Sequence, residues 1–228
     1  QELLGKPLSA LLGARQVKKI EQCLSGDFES INPLSLSVKH LNKLLYFDGI
    51  VHRLDTLIIL ELERKKSKGK ADLFDFYQLV KGTVPRIQAA PTLLEMCQVV
   101  VKEVRQITGF ERVMVYRFDQ SGAGSVIAES TDQEPPYLGL HYPASDIPKQ
   151  ARQLYTFNWL RLIPDAKYQP VGLIPAHNLL MDQPLDLSFS VLRSVSPIHL
   201  EYLQNMGVAA SMSISLIQDQ KLWGLIAC

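Results

Sequence analysis

The stretch "SPIHLEYLQNMGVAASMSISL", residues 196–216, decides the fold because it reads as a short helix running into a strand. Ser196 and Pro197 are the residue types of a helix N-cap and first helical position, and Gly207 suits the residue just past the last turn. Spacing of i, i+3, i+4, i+7 places His199, Tyr202, Leu203 and Met206 on one face. The period then changes to two. Met212, Ile214 and Leu216 face one way, and Ser211, Ser213 and Ser215 the other. Such a serine row is either the solvent side of a sheet or the polar floor of a pocket.

Working outward, "KLWGLIAC" (221–228) reads as the next strand. Upstream, "TLLEMCQVVVKEVRQITG" (92–109) reads as a helix, with Thr92 and Glu95 at capping-box spacing and Gly109 as the stop. Its stripe is Leu93, Cys97, Val100, Val104 and Ile107. "RVMVYRFD" and "GSVIAES" form two strands joined by a turn at Ser121-Gly122. "PKQARQLYTFNW" is a helix with Pro148 at its first position. Residues 164–190 hold four prolines and little periodicity, a loop long enough to imply function.

The N-terminal part is separate. Short helical patterns broken at Gly5, Gly13 and Gly26 precede three strand-like runs, "LSLSVKH", "KLLYFDGIVHR" and "TLIILELE". The expected organisation is α+β twice over, each part an antiparallel sheet flanked by helices. It comprises a first domain at 1–63, a linker at 64–73 and a second domain at 74–228. Both ends break off inside apolar patterns, so a fragment of a longer protein is expected.

Composition narrows the function. A net charge of +1 gives no electrostatic case for nucleic acid or an anionic membrane. No apolar run approaches the roughly 20 residues of a membrane span. Three distant cysteines, Cys23, Cys97 and Cys228, suit a reducing cytoplasm and show no metal spacing. No Walker loop, G-x-G-x-x-G, H-E-x-x-H or G-x-S-x-G motif occurs, so nothing supports an enzyme or a catalytic residue.

A ligand pocket is better supported. In "HYPASDIPKQAR", Asp146 sits between two prolines ahead of a helix. It either caps that helix or is held with its carbonyl toward a ligand. Arg161 and Arg193, in "NWLRLI" and "SVLRSV", would suit a ligand with two carboxylates if both flanked one pocket, since the guanidinium fork matches a carboxylate bidentately.

Taken together, "YPASDIP", "LRSVSPIHLEYLQNMGVAASMSISL", "LWGLIAC" and "VMVYRF" resemble the chromophore-binding GAF domain of phytochromes, in order from about residue 74 to 228. Residues 1–63 resemble the later part of the PAS domain that precedes it in bacterial phytochromes. The resemblance implies a photosensory fragment that binds a linear tetrapyrrole (bilin) and signals by D-ring isomerisation. It assigns the backbone carbonyl of Asp146 and the ring of His199 to the pyrroles. Arg161 and Arg193, with Ser196, Ser211 and Ser213, go to the propionates, and Tyr116, Tyr142 and Tyr202 to the D-ring cage. Ile147, Pro148 and Tyr155 become further lining. The loop 164–190 corresponds to the family's lasso, which encloses a segment preceding the PAS domain.

Ile198 matters for attachment. Family members that use reduced bilins such as phycocyanobilin carry a cysteine here. Those that use biliverdin take their thiol from the segment before the PAS domain. Isoleucine has no nucleophile, so biliverdin is the expected cofactor and phycocyanobilin the second choice. The family further implies a PHY domain, a histidine-kinase output domain, a homodimer and a cytoplasmic location. The alternative is a dimerisation or relay module that has lost its bilin.

Overall fold

A computed structural model describes residues 3–24, 32–40, 43–65, 71–178 and 182–228, excepting the side chains of 32, 40 and 71–79. The break expected at Gly26 and most of the basic linker lie outside these residues. The chain divides into two compact units, Gln1–Gly69 with Pro170–Ser194, and Lys70–Gln169 with Val195–Cys228.

In the first unit, helices α1 (Ser9–Leu12) and α2 (Ala14–Leu24) precede strands β1 (Asn32–His40), β2 (Lys43–Leu54) and β3 (Leu57–Arg64). The strands form an antiparallel sheet in the order β1-β2-β3. Leu12 and Ile20 from the helices close over Leu34, Leu36 and Val51 of the sheet. The segment Pro170–Ser194 joins this unit through a buried carboxylate. Glu61 on β3 accepts hydrogen bonds from the backbone N–H groups of Val191 at 3.1 Å and Leu192 at 2.6 Å. These donors meet the requirement that a buried carboxylate be hydrogen-bonded. Phe189 from the same segment packs edge-on to buried His52 at 6.5 Å.

The second unit begins with α3 (Ala71–Gln88) and α4 (Leu93–Thr108). Of the linker expected at 64–73, Arg64 is thus the last residue of β3 and residues 71–73 are helical. Helix α3 carries Gly82 and Pro85, which interrupt a helical pattern. It is tied to α4 by Thr83, whose hydroxyl donates to Glu103 at 2.7 Å, and by the Arg86–Glu103 ion pair. Helix α4 starts as its sequence predicts: the Thr92 hydroxyl accepts from the Glu95 N–H at 3.2 Å, and Gly109 ends it at φ +74°. Its buried residues are Cys97 and Val101, whereas Leu93 is half exposed. Of the predicted stripe, Leu93 is exposed, while Cys97, Val100 and Val104 pack in the core.

Six strands follow in spatial order β6-β5-β4-β9-β8-β7, all antiparallel. They are β4 (Arg112–Phe118), β5 (Gly124–Thr131), β6 (His141–Tyr142), β7 (Leu160–Ile163), β8 (Ser211–Gln218) and β9 (Lys221–Ala227). Helix α5 (Lys149–Phe157) lies between β6 and β7 in sequence, and α6 (Pro197–Asn205) precedes β8. Period-two alternation gives the sheet two different faces. Val113, Val115, Ala128 and Ile226 point to α4 with Cys97 and Val101. Tyr116, Val126 and Leu225 form a separate cluster with Met114, Phe118, Tyr142, Ile147 and Tyr155.

Helix α6 ends in a Schellman motif. Val208 N–H donates to Leu203 O, Gly207 N–H donates to Gln204 O, and Gly207 has φ +72°. Its buried side is Leu200 and Leu203, packed on Ile163 and Ala166. Tyr202 and Met206 are exposed, so the predicted face is only partly a core face. The His199–Tyr202 side is left for something other than the core.

Candidate functional site

The serine row of β8 is not the solvent side of the sheet. Arg161 pairs with Ser213 across β7 and β8. Its Nε donates to the Ser213 hydroxyl at 2.9 Å and its Nη1 to the Ser215 hydroxyl at 3.0 Å. A further bond runs from Nη1 to Asn158 O, and the guanidinium stacks 3.6 Å from the Tyr155 ring centroid. Ser215 is buried and donates onward to Tyr155 O at 2.7 Å. The arginine, on β7, is thus fixed on four sides by groups from α5, its C-cap residue Asn158 and β8, and presents a fixed cationic plane. Ser211 instead donates to Cys228 O at 3.0 Å, which binds it to the neighbouring strand's end.

His199 lies near this arginine. Burial, and then the Arg161 charge, hold its imidazole below the ordinary histidine range. It stacks on Tyr202 at 6.3 Å with the rings 12° from parallel. Tyr202 is near Asp146: partial burial, and then that carboxylate, raise its hydroxyl. Tyr116 feels the same carboxylate, and burial first and Asp146 second push it up to about 12. Its ring lies 5.9 Å from Tyr142, whose hydroxyl is raised by burial and then by Tyr202. One cluster therefore unites Tyr116, Tyr142, Asp146, His199 and Tyr202, with Arg161 near His199 and Ser213 bonded to that arginine.

Glycine makes room for part of this. A side chain at Gly124 would overlap the Tyr116 ring, so that ring lies flat across the strand where only hydrogen fits. Tyr116 is accordingly buried in the sheet's second cluster, with Ile147 and Tyr155 around it.

The remaining predicted residues fall elsewhere. Pro148 is the N-cap of α5 rather than its first helical residue, so Asp146 is not the cap of that helix. Ser196 is the N-cap of α6, but its hydroxyl makes no capping bond. Its carbonyl accepts from His199 and Leu200. Ile198 is 78% exposed and packs in none of the hydrophobic clusters. Arg193 belongs to the first unit, where its Nη1 donates to Ser190 O at 2.6 Å. Ser215 and Asn158 are contacts of Arg161 that sequence reasoning did not single out as site residues. The alternation of the serine row was the one signal that pointed to Ser215.

Among the described residues, no group of three or more His, Cys, Asp or Glu side chains is placed to hold a metal. No helix among them is long and apolar enough to cross a membrane.

The GAF domain model matches residues 92–228, and the PAS fold model matches residues 1–65. The chain is similar over its whole length to the chromophore-binding domain of the bacteriophytochrome RpBphP3 from R. palustris, with 44% identity, a TM-score of 0.89 and 74% of that chain covered. The chain belongs to the phytochrome family. It has the PAS–GAF arrangement of bacterial and cyanobacterial phytochromes, built as antiparallel sheets flanked by helices. The chromophore-binding domain of Stigmatella aurantiaca phytochrome P1 is also similar, with 50% identity and a TM-score of 0.88 over all of this chain and 75% of that one. Cyanobacterial phytochrome B of Nostoc sp. is 56% identical over 230 residues, all of this chain and 31% of that protein. The phytochrome segment thus spans about three-tenths of the length of the curated relatives it matches.

Proposed function

We propose that the GAF unit binds a linear tetrapyrrole, that the bilin is biliverdin, and that light-driven isomerisation at its D ring is the signal of a red/far-red photoreceptor. The observation that carries this reading is Arg161, fixed by Ser213, Ser215 and Asn158 over the Tyr155 ring, next to His199. A guanidinium whose geometry is set before any ligand arrives suits a carboxylate-bearing ligand. A half-buried histidine and a cluster of three tyrosines suit the conjugated body of such a molecule.

The residues present fit the group. Arg161 and Ser213 would hold one propionate, with Arg193, Ser196 and Ser211 as the other proposed polar partners. His199 and the Asp146 carbonyl would serve the pyrroles. Tyr116, Tyr142 and Tyr202 would surround the D ring, with Ile147, Pro148 and Tyr155 as lining. The bilin supplies visible absorption and an isomerisable double bond when bound. The protein's part is to bind it, exclude water and hold the pyrrole protons.

Biliverdin is preferred over phycocyanobilin because Ile198 offers no thiol. Burial raises the thiols of both Cys97 and Cys228, the latter to about 12, which leaves them poor nucleophiles. We further propose that the segment acts in the cytoplasm as a homodimer, within a longer protein that carries PHY and histidine-kinase domains and supplies the enzymatic output. Ile198 also favours a second reading, a relay module without bilin. Titrating the chain with biliverdin and with phycocyanobilin separates the two. A saturable red band with biliverdin, weakened at least about tenfold by Arg161→Ala, supports the proposal. A colourless protein with both bilins supports the relay.

A further inference from the structure

Arg152 sits on α5, outside the set of residues assigned to the ligand above. Its Nη1 converges on three backbone carbonyls, those of Gly122 at 3.3 Å, Ala144 at 3.2 Å and Ile147. Two of these carbonyls bracket Asp146, and the third belongs to the β4–β5 turn. The guanidinium also stands 5.9 Å from the Phe118 ring centroid. Gly122 is part of the fit. A Cβ there would come within 2.6 Å of Arg152 Nη2, and the residue has φ +86°. The turn therefore lacks a side chain at the spot where the guanidinium lies.

Besides Arg152, the loop 143–148 is held by Ile147, which packs against the Tyr116 cluster, and by one backbone turn. The Asp146 N–H donates to Pro143 O at 3.1 Å, closing a single turn. Asp146 itself is exposed, and no side chain caps the start of α5. Arg152 is one helical turn into α5, and its N–H donates to Pro148 O at 3.0 Å. Loop, helix start and guanidinium thus form one closed unit. A charged donor to neutral carbonyls makes stronger bonds than a neutral one, and one group bonding three peptides ties together segments far apart in sequence.

We infer that Arg152 is a positioning residue for the chromophore site: it fixes the Ala144 and Ile147 peptides and so sets where the Asp146 carbonyl and carboxylate stand relative to Tyr116 and Tyr202. The inference rests on the bilin reading for its functional consequence, and on the protein alone for its structural one. Both carbonyls keep their orientation only while the cation between them is present. Glutamine is shorter, neutral and able to reach one carbonyl at most. Lysine keeps the charge and can bond two.

The test uses the whole chain as Arg152→Gln and Arg152→Lys. Amide hydrogen exchange in the ligand-free protein reads the loop directly. The Asp146 amide should exchange at least about tenfold faster in Arg152→Gln, while amides of β8 and β9 keep their protection. Arg152→Lys should recover most of that protection. With biliverdin, Arg152→Gln should bind at least about tenfold more weakly than the parent chain and give a shifted, broadened red band, and Arg152→Lys should lie between. A folded Arg152→Gln with unchanged Asp146 exchange and an unchanged band would overturn the inference. If Arg152→Gln does not fold, a folded Arg152→Lys with parent-like exchange and band supports it, and uniform loss of protection across the second unit overturns it. A parent chain that binds no bilin sinks the functional reading alone, and the exchange comparison still decides the role of Arg152 in the loop.

Discussion

The Arg161 guanidinium donates to the hydroxyl of Ser215 at 3.0 Å, across 54 residues of sequence, and Ser215 passes the chain of bonds on to Tyr155 O. This relay links β7, β8 and α5 at one point. Replacing Ser215 with alanine removes both bonds and leaves the arginine's Nη1 with one fewer acceptor in a half-buried place. The cost should be about 1–3 kcal/mol of stability. Denaturant unfolding of the ligand-free chain measures it, and an unchanged midpoint would show that the relay does not stabilise the unit.

Gly124→Ala tests how tightly Tyr116 is seated. The new methyl would occupy the place of the phenol ring, so the ring must move. Overpacking of this kind costs about 1–3 kcal/mol. The mutant should melt earlier, and Tyr116→Phe in the same background should not restore it, because the clash involves the ring and not only the hydroxyl. Full recovery by Phe would contradict that account.

The hairpin beyond β5 depends on a buried ion pair. Arg112 pairs with Glu129, whose side chain is 3% exposed. The carboxylate also accepts the N–H groups of Tyr137 and Leu138, each at 2.8 Å. Arg112 lies 3.8 Å from the Tyr137 ring centroid. Removing one partner strands the other charge. Glu129→Ala should therefore destabilise the chain by about 3–5 kcal/mol, and the Arg112→Ala/Glu129→Ala double mutant should cost less than the sum of the two single mutants. A double-mutant cycle in urea provides the comparison.

The His199 shift carries a sign for stability. Its pKa is lower in the folded chain than the ordinary value of about 6.5, so the unfolded chain binds this proton more readily. Its contribution is intact above about pH 6.5 and is lost as pH falls from there toward the folded value. His199→Gln should flatten that part of the stability–pH curve. NMR titration should place the His199 imidazole below 6.5 in the ligand-free chain. A value at or above 6.5 would contradict the assigned effect of burial and Arg161.

Much of the fold was legible where local chemistry decides it. The Thr92 cap, the Gly109 stop, the Gly207 end of α6 and the alternation of β8 all stand where sequence places them. What was not legible depends on long-range pairing. Nothing local reveals that Arg161 lies opposite Ser213, or that Glu61 gathers the segment around Val191 into the first unit. The exposure of Leu93 at the start of α4, and of Tyr202 and Met206 on α6, depends on what each helix packs against, which helical period does not reveal. Of the candidate site, residue types pointed to Asp146, Arg161, Arg193 and His199, and the family resemblance added Tyr116. They gave no sign of Arg152, whose partners are backbone carbonyls and carry no side-chain signature.

The most direct test of the central claim is an absorption spectrum of the chain mixed with biliverdin, taken before and after acid denaturation and desalting. The account predicts a red band that saturates with biliverdin and a bilin that leaves the protein on denaturation, since Ile198 provides no thiol, Cys97 is buried, and partial burial holds the Cys228 thiol protonated. A spectrum no different from free biliverdin would contradict it.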